Sequence, residues 1–416
     1  MKPTLLLPAL LLSTTLSQAA TLPSTSATRA GFVPERLETL RATVGSFVER
    51  GDHAGIITLV ARHGRIVDVH AYGMRDRENR LPMERDTICR VYSMSKIITS
   101  VAVLCLLEDG VLRLDDPVDR FLPELKQLKV ITGGTVEAPQ LEPAQRPITL
   151  RHLLTHTSGL TYDFAGQSPI HLLYKNADLW SGPDLQDFIR KVATLPLQHH
   201  PGDQYTYGIN TDVLGAVIER ASGQRFGAFL ESRLFAPLGM VDTGFDVPPE
   251  KLPRLAKTYQ HGPDGRGLVE AEPMLGTHAA ASRGIESGGA GLFSTVDDYA
   301  RFAQMLCQGG TLEGHRILGR KTVELMTRNH LALLPAKTEP DRRAKGFGLG
   351  VEVTLDAGRG GVPASPGQFG WYGAATTYCQ IDPKENLVAI AFAQHFPFNQ
   401  HDFFDYWATA YYQALR

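Results

Sequence analysis

The sequence predicts an α/β fold of the α+β kind: an antiparallel sheet formed by N- and C-terminal segments, flanked by helices, with an inserted, mostly helical region between them. Three observations predict it. A pair of strand-like segments lies near each end of the chain, a helix borders each pair, and the middle alternates helical patches with Pro- and Gly-rich loops. Strands and helices segregated in this way pack as a sheet with helices on its faces.

In chain order, residues 1–20 read as an export signal. Lys2 is followed by an apolar stretch from Leu5 to Leu12 and by Ser17-Gln18-Ala19, with small residues where a signal peptidase needs them. The apolar run is too short to span a bilayer. The expectation is an exported chain, periplasmic or secreted, with no stable membrane insertion after cleavage and a folded unit over 30–416.

From Pro34 to Gly51, Leu37, Leu40, Val44, Phe47 and Val48 recur at helical spacing, with Pro near the start and Gly past the end. Ile56 to Ala61 and Ile66 to Ala71 are rich in β-branched residues, and His63-Gly64 between them reads as a hairpin turn. Thr376 to Ile381 and Leu387 to Ala393 repeat that pattern around Pro383-Lys384-Glu385-Asn386, ahead of a helix from about Asp402 to Leu415. The insertion spans roughly 111–290 and includes a helix over Thr211 to Ala221 closed by Gly223.

Composition narrows the function. With 42 basic and 44 acidic residues the net charge is −2, which provides no overall field to hold nucleic acid or anionic lipid. A small-molecule substrate fits better. Cys89, Cys105, Cys307 and Cys379 are scattered without C-x-x-C or zinc spacing, so neither a disulfide framework nor a metal knot is expected. No cofactor and no metal are expected, and the sequence leaves the oligomeric state open.

The chemistry concentrates at Ser93-Met94-Ser95-Lys96, which opens a helix apolar on every side through Val101, Val103, Leu104 and Leu107. Such a helix is a buried one. Ser93 and Lys96, three apart at its first turn, point the same way, while Ser95 faces elsewhere. A serine hydroxyl needs a base to take its proton, and a buried amine can be that base because desolvation disfavours its charged form. The alternative for the same residues is a helix cap at Ser93 with Lys96 an exposed first-turn charge.

Context decides in favour of chemistry. With Ser93-Met94-Ser95-Lys96 come Leu107-Glu108-Asp109-Gly110, Leu114-Asp115-Asp116-Pro117-Val118, Leu153-Leu154-Thr155-His156-Thr157-Ser158-Gly159-Leu160, Pro201-Gly202 ahead of Tyr207, and Gly288-Gly289-Ala290-Gly291-Leu292. In these motifs the chain resembles the serine β-lactamase and penicillin-binding-protein superfamily, in its class C-like branch and closest to the family VIII esterases. The resemblance implies that Tyr207 passes protons between Ser93, Lys96 and the leaving group, with Tyr205 as a rival position, and leaves open which of Lys96 and Tyr207 is the resting base. It implies a third motif at Trp371-Tyr372-Gly373-Ala374, where Trp371, Tyr372 and Gly373 border the substrate, and an oxyanion hole from the backbone N–H groups of Ser93 and Ala374.

The chain departs from the pattern of the β-lactamases it resembles in two places. Tyr207-Gly208-Ile209-Asn210 moves the asparagine of Tyr-x-Asn along by one, and Trp371 replaces a lysine that would meet a penicillin carboxylate. Lys321-Thr322-Val323 lacks the glycine and reads as helix. Cleavage of a carboxylic ester is therefore expected ahead of a D-amino-acid peptidase or weak β-lactamase activity, an acyltransferase, or a non-catalytic peptidoglycan-binding module. No G-x-S-x-G elbow occurs. His156 reads as structural, His199-His200 as a loop, and Ser294-Thr295-Val296-Asp297 as a helix start.

Overall fold

The computed structural model describes residues 20–274, 284–334 and 344–416; the export segment expected over 1–20 lies, except for Ala20, outside the described residues. Helix α1 (Pro34–Glu49) leads into the hairpin β1 (Gly55–Arg62) and β2 (Arg65–Asp76), turned by His63 and Gly64, both at positive φ. After β3 (Leu81–Pro82) come the buried helix α2 (Ser95–Glu108), α3 (Asn210–Ser222) and α4 (Val296–Cys307). The chain then returns to the sheet through β4 (Lys345–Phe347), β5 (Glu352–Thr354), β6 (Phe369–Gly373), β7 (Thr377–Asp382) and β8 (Leu387–Phe392), and finishes in α5 (Phe403–Tyr412).

The sheet is antiparallel throughout, in the order β4-β5-β6-β7-β8-β1-β2-β3. Its two terminal hairpins join at the centre, where Ile57 pairs with Phe392 and Arg62 with Leu387. Alternation along β1 sends Ile57, Leu59 and Ala61 to one face and Ile56 and Val60 to the other. Leu37, Leu40 and Phe47 of α1 and Phe403, Trp407 and Tyr411 of α5 cover the second face. The first face packs on α4, which lies against β1, β7 and β8, and α2 packs against α3, so the central strands are buried on both sides. All four cysteines are free and buried, Cys105 among them within the core of α2.

Helix α4 begins as the Ser294–Asp297 segment suggests: Thr295 accepts a hydrogen bond from Asp298 N. Asp298 is buried, and its Oδ2 accepts from Asp242 N at 2.7 Å and Thr243 Oγ1 at 2.9 Å. Its Oδ1 has no partner among the described residues. Burial, first, pushes this carboxyl up to about 7. A carboxyl raised by folding gives stability that is complete below its unfolded pKa of about 4 and is lost as pH rises through the folded value. Asp298→Asn keeps the acceptor and removes the charge. It is expected to flatten the fall in Tm between pH 5 and 8, measured by thermal unfolding across that range.

Candidate active site

Ser93 lies on a 3-10 turn, Tyr92–Met94, leading into α2, so the regular helix begins two residues later than the sequence suggests. Residues three apart eclipse on such a turn, and Lys96 Nζ stands 3.1 Å from Ser93 Oγ. Lys96 is 1% exposed, which excludes a solvated first-turn charge. Tyr92, just before the nucleophile, has φ of 44°, a left-handed conformation costing an aromatic residue about 1–3 kcal/mol. Its buried ring packs edge-on against Phe396, which helps hold the turn.

Tyr207 OH is 2.8 Å from Ser93 Oγ, and Lys96 Nζ lies 4.7 Å from the centre of the Tyr207 ring. Tyr205 instead packs its ring against Phe347 and His156, so the hydroxyl beside the serine belongs to Tyr207. His156 Nδ1 faces Asn210 Nδ2 at 2.9 Å and Gly208 N at 3.3 Å, bracing the loop that carries Tyr207. Asn210 is thereby engaged with His156, and with Ser158 through its Oδ1. His199 and His200 sit in a loop, where His199 meets Thr206 and His200 meets Glu142. Lys321 is exposed on the helix Arg320–Met326 and pairs with Glu324.

The third motif occupies β6. Trp371 turns toward Tyr207, its Nε1 3.4 Å from the phenol oxygen. Alternation sends the neighbouring Tyr372 to the opposite face, where it stacks on Phe404 of α5 and donates to Glu352 at 2.8 Å. Its side chain therefore lies on the face away from Tyr207, unlike the expected place beside the substrate, whereas the Trp371 ring stands beside Tyr207. A Cβ at Gly373 would meet Thr377 Oγ1 at 2.1 Å and Val91 O at 2.3 Å, so only glycine permits this approach. The strand end that carries Ala374 is thus pressed against the turn that carries Ser93, tied by Thr377 Oγ1 donating to Val91 O.

Two further residues complete the lysine's surroundings. Its Nζ reaches three oxygens: Ser93 Oγ, Tyr162 OH at 3.1 Å and Gly289 O at 2.8 Å. Asp212, buried at the first turn of α3, accepts from Gly289 N at 2.9 Å and Ser287 Oγ at 2.5 Å, fixing the peptide that holds the lysine. A Cβ on Gly289 would strike Asp212 Oδ2 at 2.5 Å, which accounts for one glycine of the Gly288-Gly289 pair. Burial, then the charge of Asp212, pushes the Tyr162 phenol well above its ordinary value, so it stays protonated. Burial likewise raises the Asp212 carboxyl.

Sequence reasoning passed over both residues. Tyr162 lies two residues beyond the His156–Leu160 motif, and a hydroxyl placed so near a catalytic signature is the one signal that could have found it. Tyr162→Phe removes a buried partner of the amine, worth about 1–3 kcal/mol. It is expected to lower kcat roughly 5- to 150-fold with KM little changed. Steady-state kinetics beside a Tm measurement checks this, since a merely structural role would move Tm and spare kcat.

A serine whose oxygen meets both an amine and a phenol, under a strand end, is the arrangement read in the sequence from family motifs. A family profile described as Beta-lactamase matches residues 40–414. The chain belongs to the Beta-lactamase family. Among its family relatives, Esterase EstB of Burkholderia gladioli is 35% identical over 346 residues, covering 77% of this chain and 80% of that protein. Monacolin J acid methylbutanoyltransferase of Aspergillus terreus is 32% identical, covering 78% and 81%. The solved structure of EstCE1, described as a hydrolase with promiscuous acyltransferase activity, superposes with a TM-score of 0.77 at 28% identity over 91% of this chain and 98% of that one. The fold is thus that of β-lactamases and transpeptidases, and both esterases and acyltransferases occur among the relatives.

Proposed function

We propose that the protein is a serine hydrolase that cleaves small carboxylic esters through an acyl-enzyme on Ser93. The observation that carries this reading is the double contact of Ser93 Oγ, 3.1 Å from Lys96 Nζ and 2.8 Å from Tyr207 OH. Ser93 Oγ bonds to the ester carbonyl carbon while its proton passes to the Lys96–Tyr207 pair. The N–H groups of Ser93 and Ala374 would receive the oxyanion. Collapse breaks the bond to the alcohol, which leaves with that proton, and water attacks the acyl carbon to free the acid and restore the serine. Trp371 supplies no cation for a carboxylate, which favours neutral esters over penicillins.

The acyltransferase reading stands second, favoured by the acyltransferase among the relatives. In it an alcohol replaces water at the deacylation step. Intact-mass detection of the acylated chain after mixing with a short-chain nitrophenyl ester, with the modified peptide mapped, tests the shared intermediate. Turnover of that ester beside a chromogenic cephalosporin, with and without added alcohol, separates the activities. An acyl group mapped to any residue other than Ser93 overturns the proposal.

A further inference from the structure

Away from Ser93, four histidines distant in sequence converge. His53 comes from the loop between α1 and β1, His261 from the strand Tyr259–His261, His395 from the strand His395–Phe396, and His401 from the turn before α5. His261, His395 and His401 each bring a ring nitrogen within 4.8 Å of the other two. Nothing in the sequence announces the group, since 140 positions separate His261 from His401.

The outward hydrogen bonds arrange the rings as ligands. His261 Nδ1 lies 3.2 Å from Gly267 O, a carbonyl that can only accept, so Nδ1 carries the proton and Nε2 the lone pair. That Nε2 stands 3.1 Å from His401 Nε2. His395 Nε2 meets Gln400 Oε1 at 3.1 Å, which leaves Nδ1 as the lone-pair nitrogen. This atom is buried and has no partner among the described residues. Metal-binding histidines are typically anchored in this way, the far N–H fixed on an oxygen and the near nitrogen left free. A tetrahedral ion bonded at about 2.0–2.1 Å holds its nitrogens roughly 3.3 Å apart, close to the separation of His261 and His401.

Two more observations point the same way. His53 is 1% exposed, neither of its ring nitrogens has a partner among the described residues, and it sits edge-on to His395 with ring centres 4.6 Å apart. Imidazoles buried without partners are costly and call for an explanation, of which a bound ion is one. His401 is also aimed by strained backbone: Asn399, His401 and Asp402 all have positive φ, and Asn399 is held by Thr376 Oγ1 and by Phe404 N.

We infer that His261, His395 and His401 form a binding site for one divalent transition cation of the zinc class. An all-imidazole donor set suits such ions and is wrong for calcium or magnesium, which take oxygen ligands. The cation replaces the ring-to-ring hydrogen bond between His261 and His401, and solvent fills a fourth position. Its location gives it a structural consequence. His395 N donates to Ala375 O at 3.0 Å, and Thr376 Oγ1 donates to His395 O at 3.0 Å, so an ion there braces the turn that follows Ala374.

The test uses the full chain without a polyhistidine tag, stripped of metal and titrated with Zn2+ against a chromophoric chelator, with Co2+ as a spectroscopic probe. One equivalent of Zn2+ per chain is expected, with Co2+ bands of a nitrogen-ligated tetrahedral site and a raised Tm. His261→Ala and His401→Ala, both at half-buried positions, are expected to weaken binding by about 100-fold or more, whereas His63→Ala at the exposed hairpin turn leaves it unchanged. Should those variants fold poorly, protection of His261 and His401 from diethyl pyrocarbonate by Zn2+ is read on the unaltered chain. Binding well below one equivalent, binding undiminished in both variants, or no protection overturns the inference.

Discussion

Replacing Ser93 by alanine is expected to lower kcat/KM toward a short-chain aryl ester by roughly 10^5- to 10^6-fold, the loss seen when a hydrolase nucleophile is removed. The magnitude follows from the step that is lost. Without Oγ no acyl-enzyme forms, and what remains is the binding of the ester near backbone N–H groups, which Ser93→Ala leaves in place. The fold is expected to survive, because Ser93 is partly exposed and the turn that carries it is held by Tyr92 rather than by the serine. Initial rates and intact-mass trapping on purified protein check this together. A variant that keeps a tenth of the activity, or still acylates, would show that the chemistry lies elsewhere.

Lys96→Met is expected to cost about 10^3- to 10^4-fold in kcat/KM with the chain still folded. Methionine fills the volume of the stem but cannot take or return a proton. Stability should change little, because the variant loses the contacts to Gly289 and Tyr162 and at the same time no longer buries a polar amine. Circular dichroism and Tm, measured beside kinetics, distinguish this outcome from unfolding. Unchanged kcat/KM would remove the amine from the mechanism and leave Tyr207 as the partner of the serine.

Much of the frame was legible before any coordinates. The two hairpins, Gly55–Asp76 and Thr377–Phe392, declare themselves through β-branched runs around short turns, and the helices over 34–49, 210–222 and 296–307 through periodicity and capping. These signals are local, so the residues that carry them are neighbours in the chain. The Ser93–Lys96 pair was legible for the same reason, being three residues apart on one turn. The turn proved to be 3-10 rather than α, a difference that left the pairing intact.

Loops gave no comparable signal. Tyr205 and Tyr207 lie two residues apart without periodicity, so only the motif resemblance favoured Tyr207, and the structure sets Tyr205 against Phe347 and Tyr207 beside Ser93. Tyr162 reaches Lys96 across 66 positions. Tyr372 was grouped with Trp371 by motif, but the two-residue alternation of β6 sends its ring to the far face of the sheet.

The sequence by itself determined the main helices, the two hairpins and the serine with its amine, because each depends on residues within a few positions of one another. Tertiary structure alone decided the register in which the two hairpins join, that Tyr162 and Asp212 fix the lysine, and that three histidines meet. Those juxtapositions arise when loops separated by many tens of residues pack onto one sheet, and nothing in short-range periodicity encodes where a loop will land.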